Sequence, residues 1–170
     1  MEISLASAGS YPRIGDQPRQ QRLRKAYGRL ERGEISAENF EKVQRAVAKA
    51  AIREQEEAGL DLVTDGQIRW YDPVSHLAGK LEGVKINGLL RFFDTNFYFR
   101  QPIITAKLGW KGPWVQDEFN FAKKISKKQV KQVLTGPYTL AKLSIVQTNA
   151  YPHLRGLVGD GDFLRLHWNR

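Results

Sequence analysis

The chain has 170 residues, 41% hydrophobic and 26% charged, with 27 Lys and Arg against 18 Asp and Glu for a formal charge of +9. That length supports one sizeable core, and that composition excludes a disordered chain. Zero cysteines exclude disulfides and thiolate metal sites. No apolar run reaches the roughly 18 residues of a membrane span, and Met1-Glu2-Ile3-Ser4 lacks the basic and apolar regions of a secretory signal, so a cytoplasmic location is expected.

In chain order, Ile3 to Ala8 reads as a buried strand running into the turn Gly9-Ser10-Tyr11-Pro12-Arg13. Residues 17–32 are rich in helix formers, with Leu23, Tyr27 and Leu30 on one face and Gly33 as a stop. Ser36 is an N-cap for a long helix through Ala58, whose apolar stripe is Phe40, Val43, Val47, Ala50 and Ala51, with Gly59 as its C′ residue. Leu60 to Val63 follows as a second strand, ending in Thr64-Asp65-Gly66-Gln67. Pro73 to Leu81 has the spacing of a short helix. Residues 88–101 predict an aromatic hairpin with Asp94-Thr95-Asn96 as a three-residue turn. Pro102 to Ala106 is a candidate barrel strand and Trp110 to Pro113 a loop. Val115 to Ile125 is a helix with Phe119 and Ala122 inward and the first-turn acids Asp117 and Glu118. Val130 to Leu134 is the last strand, followed by Thr135-Gly136-Pro137 and a helix from about Tyr138 to Val146.

Strands alternating with helices predict a parallel α/β protein, built either as an open sheet or as about half of an eight-stranded barrel. Three β-to-α turns carry the unusual residues, which points to a site along one edge. The basic residues gather at Arg19, Arg22, Arg24, Lys25, Arg29 and Arg32, and again at Lys123, Lys124, Lys127, Lys128 and Lys131. Both groups fall in amphipathic stretches and read as solvated faces; no nucleic-acid motif accompanies them, so nucleic acid is not the expected partner. The aromatic cluster with Arg91 and Arg100 reads either as a base-stacking platform or as a hairpin packed on its own domain or over a barrel mouth.

Taken in order, these segments resemble the catalytic barrel of cobalamin-independent methionine synthase and its shorter archaeal-type relatives. The resemblance rests on Gly9-Ser10-Tyr11-Pro12-Arg13, Arg53-Glu54-Gln55-Glu56-Glu57-Ala58-Gly59-Leu60-Asp61, Thr64-Asp65-Gly66, Tyr71-Asp72 with Val74, the hairpin ending in Pro102-Ile103-Ile104, and Leu134-Thr135-Gly136-Pro137-Tyr138-Thr139-Leu140. It implies a partial (βα)8 TIM barrel of about four strands, with an aromatic β-hairpin insertion, over residues 1–155. It also implies methyl transfer to the homocysteine thiol in methionine biosynthesis. Gly9 and Ser10 would meet the amino-acid carboxylate.

Three departures qualify that expectation. Gln67 stands where the family carries a Glu for the substrate ammonium, with Asp65 and Asp72 as the acids able to compensate. Phe97 and Leu143 occupy the positions of the pterin-contacting Arg and Trp, which brings relatives that take methyl from a cobalamin carrier closer. The family's zinc ligands, a His, a Glu and two Cys, lie in the second half of the barrel. His76, His153 and His167 have no ligand spacing, so neither a catalytic residue nor a metal ligand is assigned within this chain. Zinc is expected only if another chain supplies that half. From Gly156 to Arg170 the sequence leaves the family pattern, as expected of a truncated or frameshifted tail. A half-barrel has open strand edges, so a complementing polypeptide or self-association is expected. The alternative reading is a non-catalytic basic binding or interaction protein that keeps the half-barrel.

Overall fold

The computed structural model describes residues 3–12 and 16–159. Arg13 of the first turn and residues 160–170 of the expected tail lie outside the described residues. The chain forms two compact units, Met1–Arg69 with Val115–Val133, and Trp70–Trp114 with Leu134–Arg170.

In the first unit, helix α1 spans Pro18–Glu31 and α2 spans Ala37–Glu57. Proline at the first position of α1 lacks the N–H that would be left without a partner there. Ser36 caps α2 by accepting from the Asn39 N–H at 3.2 Å, and Gly59 leaves the helix left-handed at φ +81°. The inner stripe of α2 is Phe40, Gln44, Val47, Ala48, Ala51, Ile52 and Gln55, at three- and four-residue spacing. Ala50, expected on that stripe, is exposed, one residue away from the buried Ala51. Leu23, Val47, Ala48, Ala51 and Ile68 form one core cluster, while Ile52, Val63 and Ala122 form a second.

The first unit's sheet is small and parallel. Strand β1, Leu62–Val63, pairs with β4, Gln129–Val130, and Ala6 adds a single parallel bridge to Leu62. The strands expected over 3–8, 60–63 and 130–134 therefore shrink to short ladders. Most of the first run is exposed, Ile3 at 71%, so burial does not extend it. Helix α4, Gln116–Ile125, keeps the expected place; Ala122 and Glu118 are its buried residues, and Phe119 is half-buried.

The second unit departs further from expectation. Helix α3 is only Ser75–Ala78, because Leu81 begins strand β2, Leu81–Arg91. Strand β3, Tyr98–Trp110, pairs antiparallel with β2. Pro102 to Ala106 is thus no separate barrel strand but the middle of β3, and Trp110 closes that strand rather than opening a loop. The ladder breaks register beside Pro102, which has no N–H to donate, and at Gly83, φ +75°. The hairpin loop is Phe93 to Asn96, one residue longer than expected, closed by the Phe92 N–H donating to the Phe97 carbonyl at 2.8 Å.

Helix α5, Pro137–Lys142, stops early. The β-branched pair Ile145–Val146, expected as helix, forms strand β5, parallel to β3. Helix α6 spans Leu154–Gly159. Trp70, Leu77, Leu81, Ile104, Leu140 and Leu157 are among this unit's fully buried residues. The fold is mixed α/β, with no closed barrel among the described residues.

Candidate functional site

The first two turns meet at the C-terminal ends of neighbouring parallel segments. The Leu62 N–H donates to the Leu5 carbonyl at 3.1 Å, the Ser7 N–H to Leu62 at 3.2 Å, and the Lys131 N–H to Val63 at 2.8 Å. This ladder delivers Gly9, Thr64 and Val133 to one edge. Gly9 is buried at φ +139°, and a Cβ there would stand 2.6 Å from Val133 Cγ2. Gly66 has φ +73°, and a Cβ would stand 2.7 Å from Tyr11 Cβ. Both positions exclude a side chain on conformation and on space.

Hydrogen bonds join the turns directly. The Tyr11 N–H donates to the Gly66 carbonyl at 3.0 Å. Thr64 Oγ1 donates to the Gly9 carbonyl at 2.9 Å and accepts from the Gly66 N–H at 3.1 Å. Asp65 Oδ1 accepts from the Gln67 N–H at 3.0 Å, an Asx turn that supports the left-handed Gln67, φ +53°. Gln67 and Asp65 are buried; Ser10 is exposed. Tyr11 lies under the Arg19 guanidinium, 4.9 Å from the ring centroid. Burial pushes the Tyr11 hydroxyl's pKa up, Glu54 adds to the rise, and Arg19 opposes it.

Gly9, Ser10, Asp65 and Gln67 therefore share the first unit. Asp72 belongs to the second unit. There its Oδ1 accepts from the Val74 N–H at 2.8 Å and the Ser75 N–H at 2.6 Å, and its Oδ2 accepts from the Arg100 N–H at 3.0 Å and from the Ser75 hydroxyl. Four donors converge on one buried carboxylate, which starts α3 and pins β3. In the third turn, the Thr135 hydroxyl donates to the Pro73 carbonyl at 2.6 Å, and Gly136 leads into α5. His76, expected on a helix surface, is half-buried and stacked on Trp70 with centroids 5.1 Å apart.

Gln55 and Val133 are two residues of these turns' surroundings not expected there from the sequence. Gln55 is fully buried, and both ends of its amide bond the backbone of Thr64. A signal was available: Gln55 follows Val47 and Ala51 at four-residue steps, so a neutral amide sits on the inward stripe of a charged helix.

The family described as cobalamin-independent synthase, catalytic domain, matches residues 8–154. The methionine synthase of Sulfolobus acidocaldarius is 35% identical over 132 residues, 77% of this chain and 39% of that protein. The methionine synthase of Pyrococcus abyssi is 32% identical over 148 residues, 86% of this chain and 43% of that protein. Among solved structures, a B12-independent methionine synthase from Shewanella sp. W3-18-1, in complex with selenomethionine, aligns with a TM-score of 0.67 at 17% identity, over 91% of this chain and 43% of its own. The chain spans about two fifths of the length of these curated relatives.

Proposed function

Because the chain belongs to the cobalamin-independent synthase catalytic-domain family, we propose that it supplies the amino-acid-binding part of a methyl transfer to the homocysteine thiol. The observation that carries this reading is the joining of the Gly9 and Thr64–Gln67 turns at one strand edge. The exposed Ser10 hydroxyl suits a carboxylate, and the amide oxygen of Gln67 with the carboxylate of Asp65 suits an ammonium. Gln67 accepts a hydrogen bond without charge assistance, which predicts weaker amino-acid binding than a Glu would give. Asp72 holds the start of α3 and β3 within the second unit, and its four hydrogen bonds give it a structural part there. Phe97 and Leu143 at the pterin-contacting positions favour a methyl donor other than folate.

The family's zinc ion does not fit the residues present. The sequence has no Cys, and among the described residues no group of three or more His, Asp or Glu is placed to hold a metal. No methyl-transfer step is assigned to this chain. Metal activation of the thiol would come from residues outside this sequence, whether in the same polypeptide or in a complementing one. Among the described residues, strands β2, β4 and β5 each have a neighbour on one side only, which suits such a partner or self-association. No helix among the described residues is long and apolar enough to cross a membrane.

Calorimetry on the whole chain with methionine and with homocysteine tests the reading. Heat of binding that Ser10→Ala weakens several-fold supports it. No amino-acid heat, together with salt-sensitive binding to a nucleic acid, would replace it with the basic binding-protein alternative.

A further inference from the structure

We infer that Gln55 is a positioning residue for the amino-acid-binding turns, acting through Thr64. Its side-chain amide takes the place of a neighbouring strand just where the ladder stops. Gln55 Oε1 accepts from the Thr64 N–H at 2.9 Å, and Nε2 donates to the Thr64 carbonyl and to the Ala51 carbonyl, each at 2.9 Å. Both main-chain groups of Thr64 are thereby satisfied away from water, and one of the amide protons is anchored to α2 itself. Ladder hydrogen bonding from β4 ends at the Val63 carbonyl, so Thr64 depends on Gln55.

The consequence is transmitted by one hydroxyl. With its backbone fixed, Thr64 aims Oγ1 between the Gly9 carbonyl, 2.9 Å, and the Gly66 N–H, 3.1 Å. The Gly66 carbonyl then holds the Tyr11 N–H, 3.0 Å, which sets the backbone on the far side of Ser10. The path Gln55, Thr64, Gly9 and Gly66, Tyr11 thus encloses Ser10 from both sides. Gln55 is fully buried and touches none of the groups offered to a ligand, so its effect is through Thr64. A Glu at 55 keeps the shape but, when ionised, cannot donate to either carbonyl; a Met keeps the volume and makes none of the three bonds.

This inference rests on the amino-acid-binding reading, so its test carries one arm that needs no ligand. The whole chain is prepared as wild type, Gln55→Met, Thr64→Val, Thr64→Ser and the double variant Gln55→Met/Thr64→Val, and confined to conditions where melting shows each variant folded. Hydrogen exchange at the Gly66 and Tyr11 amides is the first readout. Both amides should exchange about tenfold faster in Gln55→Met and Thr64→Val, and Thr64→Ser, which keeps the hydroxyl, should recover most of the protection. Methionine affinity by calorimetry is the second readout. It should fall about tenfold in Gln55→Met, with the double variant Gln55→Met/Thr64→Val no worse than either single one, because both cut the same path. Unchanged exchange at Gly66 and Tyr11 in Gln55→Met overturns the inference. So does unchanged methionine affinity in a folded Gln55→Met when the wild type binds. A wild type that does not bind methionine overturns the functional reading alone, and the exchange arm still decides the role of Gln55.

Discussion

Among the described residues, Gln67 and Phe93 are the two non-glycine positions with left-handed backbone, at φ +53° and +50°, and they stand in opposite surroundings. Gln67 is 8% exposed, in a turn joined to another turn 55 residues upstream by the Thr64 hydroxyl on Gly9. Phe93 is 78% exposed, at the tip of a hairpin whose closing bonds all come from residues 91–97. Both residues are held by local bonds, but the turn around Gln67 is also tied to a distant segment, whereas the loop around Phe93 is closed by its own residues. A strained residue in a turn that distant segments fix is an arrangement binding sites use. One held only by its own loop is a feature of the turn.

The largest effects should come from glycines that contrast the two regions. Gly9→Ala must both leave φ +139° and clear Val133, so it should cost about 3 kcal/mol or more in a urea melt. Gly88→Ala, in β2 with nothing near its absent Cβ, should stay within about 0.5 kcal/mol. Equal costs at the two glycines would show that the turn cluster is not tightly packed.

Asp72 comes next. Asp72→Ala leaves four donors around a buried site, which should cost about 2–3 kcal/mol and speed exchange at the Arg100 amide. Asp72→Ala with an unchanged melt but no methionine binding would make Asp72 a ligand group instead. A smaller effect separates the two left-handed residues themselves. Phe93→Asn should gain about 0.5–1 kcal/mol, since Asn tolerates this conformation and little packing is lost. Gln67→Asn should gain less and should alter methionine affinity, which Phe93→Asn should not.

Legibility in the sequence followed how local each determinant is. The ends of α2 were readable because Ser36 and Gly59 act within a few residues of themselves. Gly9 and Gly66 were recognisable as special, and Gln67 as a departure. Their actual constraint, Val133 for one and Tyr11 for the other, is a contact between segments far apart in the chain. The strand lengths failed for a related reason. Residues 102–106 fit either a barrel strand or a long hairpin arm, and only cross-strand pairing with Val84 to Ile86 decides between them. Residues 145–146 likewise became strand because β3 offered them an edge. Asp72 is legible as an acid able to compensate for Gln67, whereas the four donors that meet it come from the start of α3 and from β3.

The smallest expected effect tests whether support for the turn region is pH-sensitive. Glu56 Oε1 accepts from the Ser126 hydroxyl at 2.8 Å and the Lys127 N–H at 2.6 Å, tying the end of α2 to the segment entering β4. Burial pushes the Glu56 carboxyl up, but donation from the Lys127 amide, the Ser126 hydroxyl and the Lys128 amide outweighs it, and the group sits below the ordinary glutamate value. A carboxyl lowered in the folded state stabilises above its unfolded pKa, and that contribution disappears as pH falls through the folded pKa. Glu56→Gln should therefore be less stable than wild type at pH 7, by roughly 1 kcal/mol or less. The gap should close on acidification through the carboxylate range, because the wild type loses its charge while the variant's neutral amide has none to lose. Melting curves for both proteins from pH 7 downward measure it. A gap that stays constant would mean that shape rather than charge joins α2 to the segment entering β4.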